Sequence, residues 1–295
     1  MIFTGGMLLL ALLQGCEKEI KVTPLAYTEK LSIQSLITPG RLPKVSLYRT
    51  VAYFDAKQLS SQLFIRRAGV RMSSLAGDIT FAPDSDFNSF TCEYDYFYRG
   101  NQVIAPNRTY QLEIAYNQQV YTATATTDQV AIKPDSISYV KAFKDVYGEH
   151  EGIVVHFRDV PGRGNYYRYE MTRFLPGKIV NAAGVGSACS SGNDVHYVKE
   201  LGRTIYSDEF TDGGMMTFVF EPTYQHKAGQ QAYVRLQTVD RAIYEFYNQL
   251  DQQKLAQYNP FVEPVFIRPG QFGQHAIGVF GAFALSDSLK FVYPE

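Results

Sequence analysis

Residues 110–125 read YQLEIAYNQQVYTATA, and this stretch decides the fold class. Apolar side chains occupy every second position from Tyr110 to Tyr116, which is the period of a strand with one buried and one solvated face. Asn117 and Gln118 then supply a two-residue turn, and the alternation resumes after it. The stretch therefore predicts an antiparallel β-hairpin.

The same alternation recurs along most of the chain, in segments bounded by Gly, Pro, Asn and Asp. It predicts a mainly all-β protein, with a β-sandwich over residues 30–127 and a second β-rich domain over residues 134–295. Alternation stops between the two, where Asp128, Lys133 and Pro134 indicate a linker.

One segment has a helical period instead. Ile243, Phe246 and Leu250 recur at three- and four-residue spacing after Asp240, which is a favourable N-cap. The following Asn-Pro pair at 259–260 is a stop signal. We therefore expect one amphipathic helix near residues 241–258.

Composition excludes some classes of protein. The 295 residues include 28 Lys and Arg against 29 Asp and Glu, so no basic surplus exists to neutralise a nucleic acid. Apolar residues make up 45%, which is too many for a disordered chain. Tyr and Phe number 22 and 20 with no Trp, and a Tyr-rich surface suits protein or peptide recognition better than sugar stacking.

The N-terminus contains a short apolar run that ends in LQGC at residues 13–16. The run is too short to span a bilayer. It resembles the lipobox of bacterial lipoproteins, whose cysteine is acylated after cleavage. The resemblance implies a signal peptide over residues 1–15 and a lipid anchor on Cys16.

A charged tether follows the cysteine and is expected to span residues 16–29. Its first residues, Glu17, Lys18 and Glu19, look like the acidic signal that sends Bacteroidetes lipoproteins to the outer face of the outer membrane. A solvated charged tether with no export role is the alternative. We expect a lipid-anchored protein in the outer membrane that faces the cell exterior.

Cys92 and Cys189 remain after lipidation consumes Cys16. They form either one disulfide or two separate thiols, and their positions in different predicted domains leave both possibilities open.

Two acidic segments contain the hard oxygen ligands that Ca²⁺ prefers. They supply Asp84, Asp86 and Asn88 in the first and Asp208 and Asp212 in the second. The first has Ser89 where the sharp turn of a calcium loop needs Gly, so both are weak candidates and polar turns are the default. We expect no metal or other cofactor.

No nucleophile motif with a usable geometry is present, so we expect no enzymatic activity; a hydrolase whose residues converge only in the fold is the less favoured alternative. The triplets at 135–137 and 287–289 resemble the Bacteroidetes acceptor for O-glycosylation, which would modify Ser136 and Ser288.

Several segments together resemble a family of Bacteroidetes surface lipoproteins of the domain-of-unknown-function type. These are Cys16 with its acidic tether, the opening strand at 30–38, DVPGRGNYYR at 159–168, SDEFTDG at 207–213, the helix at 240–250, and IGVFGA at 277–282. The resemblance implies two β-rich domains, the first similar to an immunoglobulin or transthyretin sandwich. It also implies genes placed beside TonB-dependent outer-membrane transporters.

The functional expectation is therefore an accessory or ligand-binding partner of a TonB-dependent β-barrel transporter. A structural subunit of a secretion or barrel-insertion complex is the alternative.

Overall fold

A computed structural model describes residues 27–52, 55, 58–145, 148–202, 205–258 and 266–295. The strands in these residues are β1 (Leu31–Ile37), β2 (Lys44–Arg49), β3 (Gly69–Ser74), β4 (Gly77–Asn88), β5 (Glu93–Gly100), β6 (Thr109–Tyr116), β7 (Gln119–Thr126), β8 (Ser136–Asp145), β9 (Gly148–Arg158), β10 (Tyr166–Pro176), β11 (Val195–Leu201), β12 (Tyr206–Ser207), β13 (Met215–Phe220), β14 (Gln231–Val239), β15 (Ala276–Leu285) and β16 (Leu289–Val292). The helices are α1 (Ser60–Leu63) and α2 (Arg241–Tyr258). The predicted all-β class is confirmed.

The predicted signal peptide, Cys16 and the acidic residues Glu17, Lys18 and Glu19 lie outside the described residues. Within the described part of the chain, no helix combines the length and apolar character needed to cross a membrane.

Strands β1 to β7 surround a first core. The hairpin predicted from residues 110–125 forms β6 and β7, and Asn117 and Gln118 have the positive φ angles that its two-residue turn requires. Its inward side chains Leu112 and Ile114 are fully buried beside Ile33 of β1 and Leu47 of β2. Alternation along each strand places one row of apolar residues in this core.

A second core lies between two packed sheets. Strands β13, β9 and β8 form a three-stranded sheet in that order, and it covers β10 and β14. Val155 and Phe157 of β9 meet Tyr167 of β10 and Val234 of β14, all of them fully buried. Side chains from both inner faces fill the layer, as in a β-sandwich.

One continuous sheet joins the two predicted domains. Its order is β11-β10-β14-β15-β1-β2-β5-β4-β3-β6-β7, with β12 beside β10 and β16 beside β14. The junction is the parallel pairing of β1 with β15, and Phe280 and Ala282 of β15 are buried in the first core. Residues near the C-terminus therefore complete the N-terminal unit.

Close packing leaves no room for a side chain at either glycine of the segment at 277–282. At Gly278, with φ of +146°, a Cβ atom would lie 1.7 Å from the carbonyl oxygen of Ile33 across the β1–β15 pair. At Gly281, a Cβ would lie 2.4 Å from Ile243 of α2. The strand pairing and the helix packing both need glycine at these positions.

Helix α2 begins where the sequence predicts it. Asp240 Oδ1 accepts a hydrogen bond of 2.9 Å from the Ile243 amide, and Oδ2 accepts one of 2.6 Å from the Ala282 amide of β15. One aspartate thus caps the helix and fixes it to the sheet. Burial raises the pKa of Asp240 despite these hydrogen bonds.

Candidate functional site

The hairpin of β4 and β5 carries a row of aromatic residues on one face. Phe87 lies opposite Tyr94 in the antiparallel register, and Ser85 lies opposite Tyr96. Because side chains alternate between the faces of a strand, Tyr94, Tyr96 and Tyr98 all project from the same face of β5.

Phe64, which follows α1, completes this row. Its ring centroid lies 5.5 Å from that of Tyr98 and 5.6 Å from that of Tyr96. Tyr96 is followed by Tyr94 at 6.4 Å, and Tyr94 by Phe87 at 5.3 Å. We call these five residues, Tyr98, Phe64, Tyr96, Tyr94 and Phe87, the aromatic ladder.

The aromatic ladder runs from the first core to the surface. Tyr98 is 2% exposed and Phe64 is 6% exposed, whereas Tyr94 and Phe87 are each 50% exposed. An exposed aromatic pair that is packed against a buried one is a rigid apolar surface with little side-chain freedom to lose on binding.

Hydrogen bonds hold the buried end in place. The Tyr98 hydroxyl donates to the carbonyl oxygen of Ile65 at 2.7 Å and accepts from the Ala68 amide at 3.1 Å. The Tyr48 hydroxyl likewise donates to the Tyr96 carbonyl at 2.6 Å and accepts from the Tyr96 amide at 3.0 Å. Burial raises the pKa of both phenols, Tyr48 and Tyr98.

The tip of the hairpin is attached to the C-terminal unit. Cys92 forms a disulfide with Cys189, with a Cα–Cα distance of 5.6 Å. Phe90 packs edge-on against Tyr224 at 5.5 Å between ring centroids. Of the two states that the sequence left open for the cysteines, the structure contains the disulfide.

The other face of the hairpin carries the first calcium candidates. The sequence places Asp84, Asp86 and Asn88 in a possible loop, but the structure places them in the extended strand β4. Arg99 binds Asp84 and Asp86, and Lys44 also binds Asp86. The hydrogen bond from Arg99 holds the pKa of Asp84 below its ordinary value.

The second pair of calcium candidates lies in an aspartate cluster. Asp208 and Asp212 come together with Asp159, and one carboxylate oxygen from each lies within 4.8 Å of the others. Asp159 and Asp208 are almost fully buried. Carboxylate oxygens at this spacing are the donor set of a hard divalent cation.

Hydrogen bonds already engage these carboxylates. Asp159 accepts from the Tyr167 hydroxyl and from the Gly213 amide, the latter at 2.8 Å. Asp208 accepts from the Gly164 amide at 3.0 Å and from the side-chain amide of Asn165 at 3.0 Å. The cluster therefore connects the turn after β9 with the loop before β13.

Asp212 joins the same two loops, because its Oδ1 accepts a hydrogen bond of 2.7 Å from the Gly162 amide. The segments DVPGRGN and SDEFTDG are thus parts of one structural unit.

The acceptor serines predicted for glycosylation, Ser136 and Ser288, are both exposed. Their modification remains a prediction.

Sequence reasoning missed Asp159 and the aromatic ladder. Asp159 accepts a hydrogen bond from Gly213, which lies 54 positions away in sequence, and its own segment contains no second acidic residue. The period-two spacing of Tyr94, Tyr96 and Tyr98 was a visible signal for a strand with one aromatic face.

A family model described as a domain of unknown function (DUF4249) matches residues 17–288. The match includes strands β1 to β15, both helices and the aspartate cluster. No curated protein matches the chain.

Proposed function

The chain belongs to this family of domains of unknown function, and we propose that it is a surface-exposed outer-membrane lipoprotein that acts as an accessory or ligand-binding partner of a TonB-dependent transporter. The likeness to Bacteroidetes lipoproteins on which this proposal draws rests on the sequence, chiefly on the lipobox-like LQGC and the acidic tether after it. The observation that carries the binding role is the exposed end of the aromatic ladder.

The anchoring part rests on the lipobox-like LQGC at residues 13–16. Acyl chains contribute about 0.8 kcal/mol per buried methylene, so two or three long chains on Cys16 hold a folded domain at a membrane without a spanning helix. Cys16→Ser should abolish incorporation of a palmitate analogue and move the protein to the soluble fraction. Retention of label and membrane association by that variant would contradict the anchor.

The export part rests on the acidic tether. Replacing Glu17 and Glu19 with Ala should leave the lipid label intact but protect the protein from proteinase added to whole cells. The unmodified protein should be degraded under the same conditions. If the unmodified protein survives the proteinase while a known surface protein is degraded, the proposed exterior location is wrong.

The binding part rests on the geometry of Phe87 and Tyr94. Aromatic residues that are exposed, preorganised and close together are frequent hot spots in protein interfaces, because they bury a large apolar area at a small entropic cost. Their rings lie 5.3 Å apart, and the disulfide at Cys92 attaches the hairpin tip to the rest of the protein. This surface is therefore a preformed contact site.

Co-purification tests the binding role. The full chain, tagged at the C-terminus, is extracted from membranes in mild detergent, and associated proteins are identified by mass spectrometry. We expect a TonB-dependent barrel in near-equal amount, and Phe87→Ala with Tyr94→Ala should reduce its recovery more than about tenfold, the effect of losing roughly 1.4 kcal/mol of binding free energy.

The matched control replaces two other exposed apolar residues, Leu75 and Val103, with Ala. That variant should retain the barrel. Recovery of a secretion or barrel-insertion complex in place of the transporter would instead favour the structural-subunit function. If the unmodified protein, the Phe87 and Tyr94 double variant and the control variant all recover the same amount of the barrel, the aromatic ladder is not the contact site.

A further inference from the structure

Strand β11 forms one end of the large sheet, and among the residues that the structure describes it pairs on one side only, with β10. The Gly177 amide donates to the Asp194 carbonyl at 2.8 Å, and the Gly202 amide donates to the Tyr169 carbonyl at 2.9 Å. Both bonds fit the β10–β11 register. Hydrogen-bonded positions alternate along an antiparallel pair, so the even-numbered residues of β11 point their backbone groups toward β10.

The odd-numbered residues of β11 therefore point their amides and carbonyls away from the sheet. These are Val195, Tyr197, Lys199 and Leu201. No Pro or Gly interrupts the strand, and it has no bulge against β10. The strand thus presents a regular row of backbone donors and acceptors that another strand could pair with.

Side chains beside this row are apolar and exposed. Val195 is 65% exposed and Tyr197 is 63% exposed, and the Tyr197 ring lies 5.3 Å from that of Phe174, itself 55% exposed. A lysine on an edge strand commonly opposes pairing. Here the ammonium of Lys199 binds the buried carboxylate of Glu170 at 2.7 Å, so its charge is already compensated within the sheet.

Strand β7, at the other end of the sheet, differs from β11 because one of its outward-pointing backbone groups already has a hydrogen-bond partner. The Thr127 amide donates to the Arg108 carbonyl, which fixes the even-numbered residues of β7 as the outward-pointing ones. One of these outward groups, the Thr124 carbonyl, accepts a hydrogen bond of 3.4 Å from the Gln271 side chain. The edge at β7 is partly covered by the chain itself.

The sequence of β11 is complementary to itself when two copies run antiparallel about Val198. Val195 then faces Leu201, and Tyr197 faces Lys199, so apolar residues meet each other and no like charges lie opposite one another. In that register every outward-pointing residue faces another outward-pointing residue, as hydrogen-bonded pairs require. A shift of one residue in register destroys this match.

We propose that two copies of the chain pair through β11, antiparallel about Val198, and extend the sheet across a two-fold axis. Such an interface is isologous, since each copy contributes the same strand. Val198 would face Val198 of the second copy at a non-hydrogen-bonded position, with the two Cα atoms about 4.5 Å apart. The pairing of two copies does not depend on the proposed transporter partner.

Single-cysteine cross-linking tests the register. A Cα separation of about 4.5 Å permits a disulfide, and the native Cys92 and Cys189 are already bonded to each other. Val198→Cys in the full chain, oxidised mildly in membranes, should give a covalent dimer with twice the protomer mass. Thr122→Cys on the opposite edge strand is the matched control and should stay monomeric.

Light scattering of the detergent-extracted full chain tests the pairing without a cross-link. The unmodified protein should have the protein mass of a dimer. Tyr197→Pro removes an outward amide and no bond to β10, so it should weaken dimerisation more than about tenfold, whereas Tyr197→Thr should keep the strand available for pairing. Circular dichroism shows whether the proline variant folds.

A monomeric mass for the unmodified protein, together with no dimer from Val198→Cys, would overturn the proposal. A cross-link from position 198 to a different protein would overturn it as well, because the edge would then bind another chain. If the proline variant fails to fold, the cross-linking results for Val198→Cys and its control Thr122→Cys decide whether the proposal stands.

Discussion

The two ends of the aromatic ladder consist of the same residue types but differ in what covers them. At the buried end, Phe64 and Tyr98 lie inside the first core, and hydrogen bonds fix the Tyr98 hydroxyl. At the exposed end, Phe87 and Tyr94 continue the same row beyond the core. The buried end therefore stabilises the fold, and the exposed end is accessible to a binding partner.

The largest effect on folding should come from the buried end. Phe64→Ala removes a ring that contacts Tyr48, Tyr96 and Tyr98. We expect the free energy of unfolding to fall by about 3–5 kcal/mol, as for other buried phenylalanines. Urea denaturation measures this. A loss below about 1 kcal/mol would mean that the two ends do not differ in the way burial indicates.

The disulfide should have the next largest effect, because it attaches the exposed end to the C-terminal unit. Its cysteines lie 97 positions apart. Replacing Cys92 and Cys189 together with Ser should lower stability by about 2–4 kcal/mol. Thermal unfolding of both proteins checks this. Equal melting temperatures would show that the hairpin tip is held by its other contacts.

A smaller loss is expected from Tyr98→Phe, which keeps the ring and removes the hydroxyl. The Ile65 carbonyl and the Ala68 amide lose their partner, which costs about 1–3 kcal/mol for buried groups. The matched control is Tyr94→Phe at the exposed end, and it should be nearly neutral. Comparable losses of stability for the two variants would contradict the expected difference between the buried and the exposed end of the aromatic ladder.

The same hydroxyl predicts a dependence on pH. Burial raises the pKa of Tyr98 in the folded state, so above the ordinary phenol pKa of about 10 the unfolded chain releases a proton that the folded protein keeps. This contribution to stability is complete below pH 10 and is lost as pH rises through the folded-state pKa. The advantage of the unmodified protein over Tyr98→Phe should therefore shrink as the pH rises above about 10.

The smallest effect on folding should come from the exposed end. Phe87→Ala and Tyr94→Ala should each change the free energy of unfolding by less than about 0.5 kcal/mol, as is usual at exposed positions. Denaturation of the single variants measures this. A larger loss would show that the exposed rings contribute to the core, and reduced partner recovery could not then be assigned to contact.

Local pattern predicted the elements whose signals are contiguous. The alternation at 110–125 predicted β6 and β7, and the capped helical period predicted α2 with Asp240 at its start. Both depend on neighbours within a few residues. The pairing of β1 with β15 joins residues more than two hundred positions apart, so no local signal indicates it.

The segment at 84–88 shows why acidic composition alone does not distinguish a loop from a strand. Acidic residues at alternate positions fit a calcium loop and a solvated strand face equally well. Pairing with β5 decides for the strand, and Arg99 and Lys44, which bind the carboxylates, come from other segments. The aspartate cluster failed to emerge for the same reason, since Asp159 meets Asp208 only in the folded chain.

The most direct test of the binding role is photo-cross-linking at the exposed end in living cells. A benzophenone amino acid replaces Tyr94 in one strain and the exposed Leu75 in another, and mass spectrometry identifies the adducts. We predict that position 94 forms an adduct with an outer-membrane transporter and that position 75 does not. Equal adducts at both positions, or no adduct at position 94 while the transporter still co-purifies, would contradict the account.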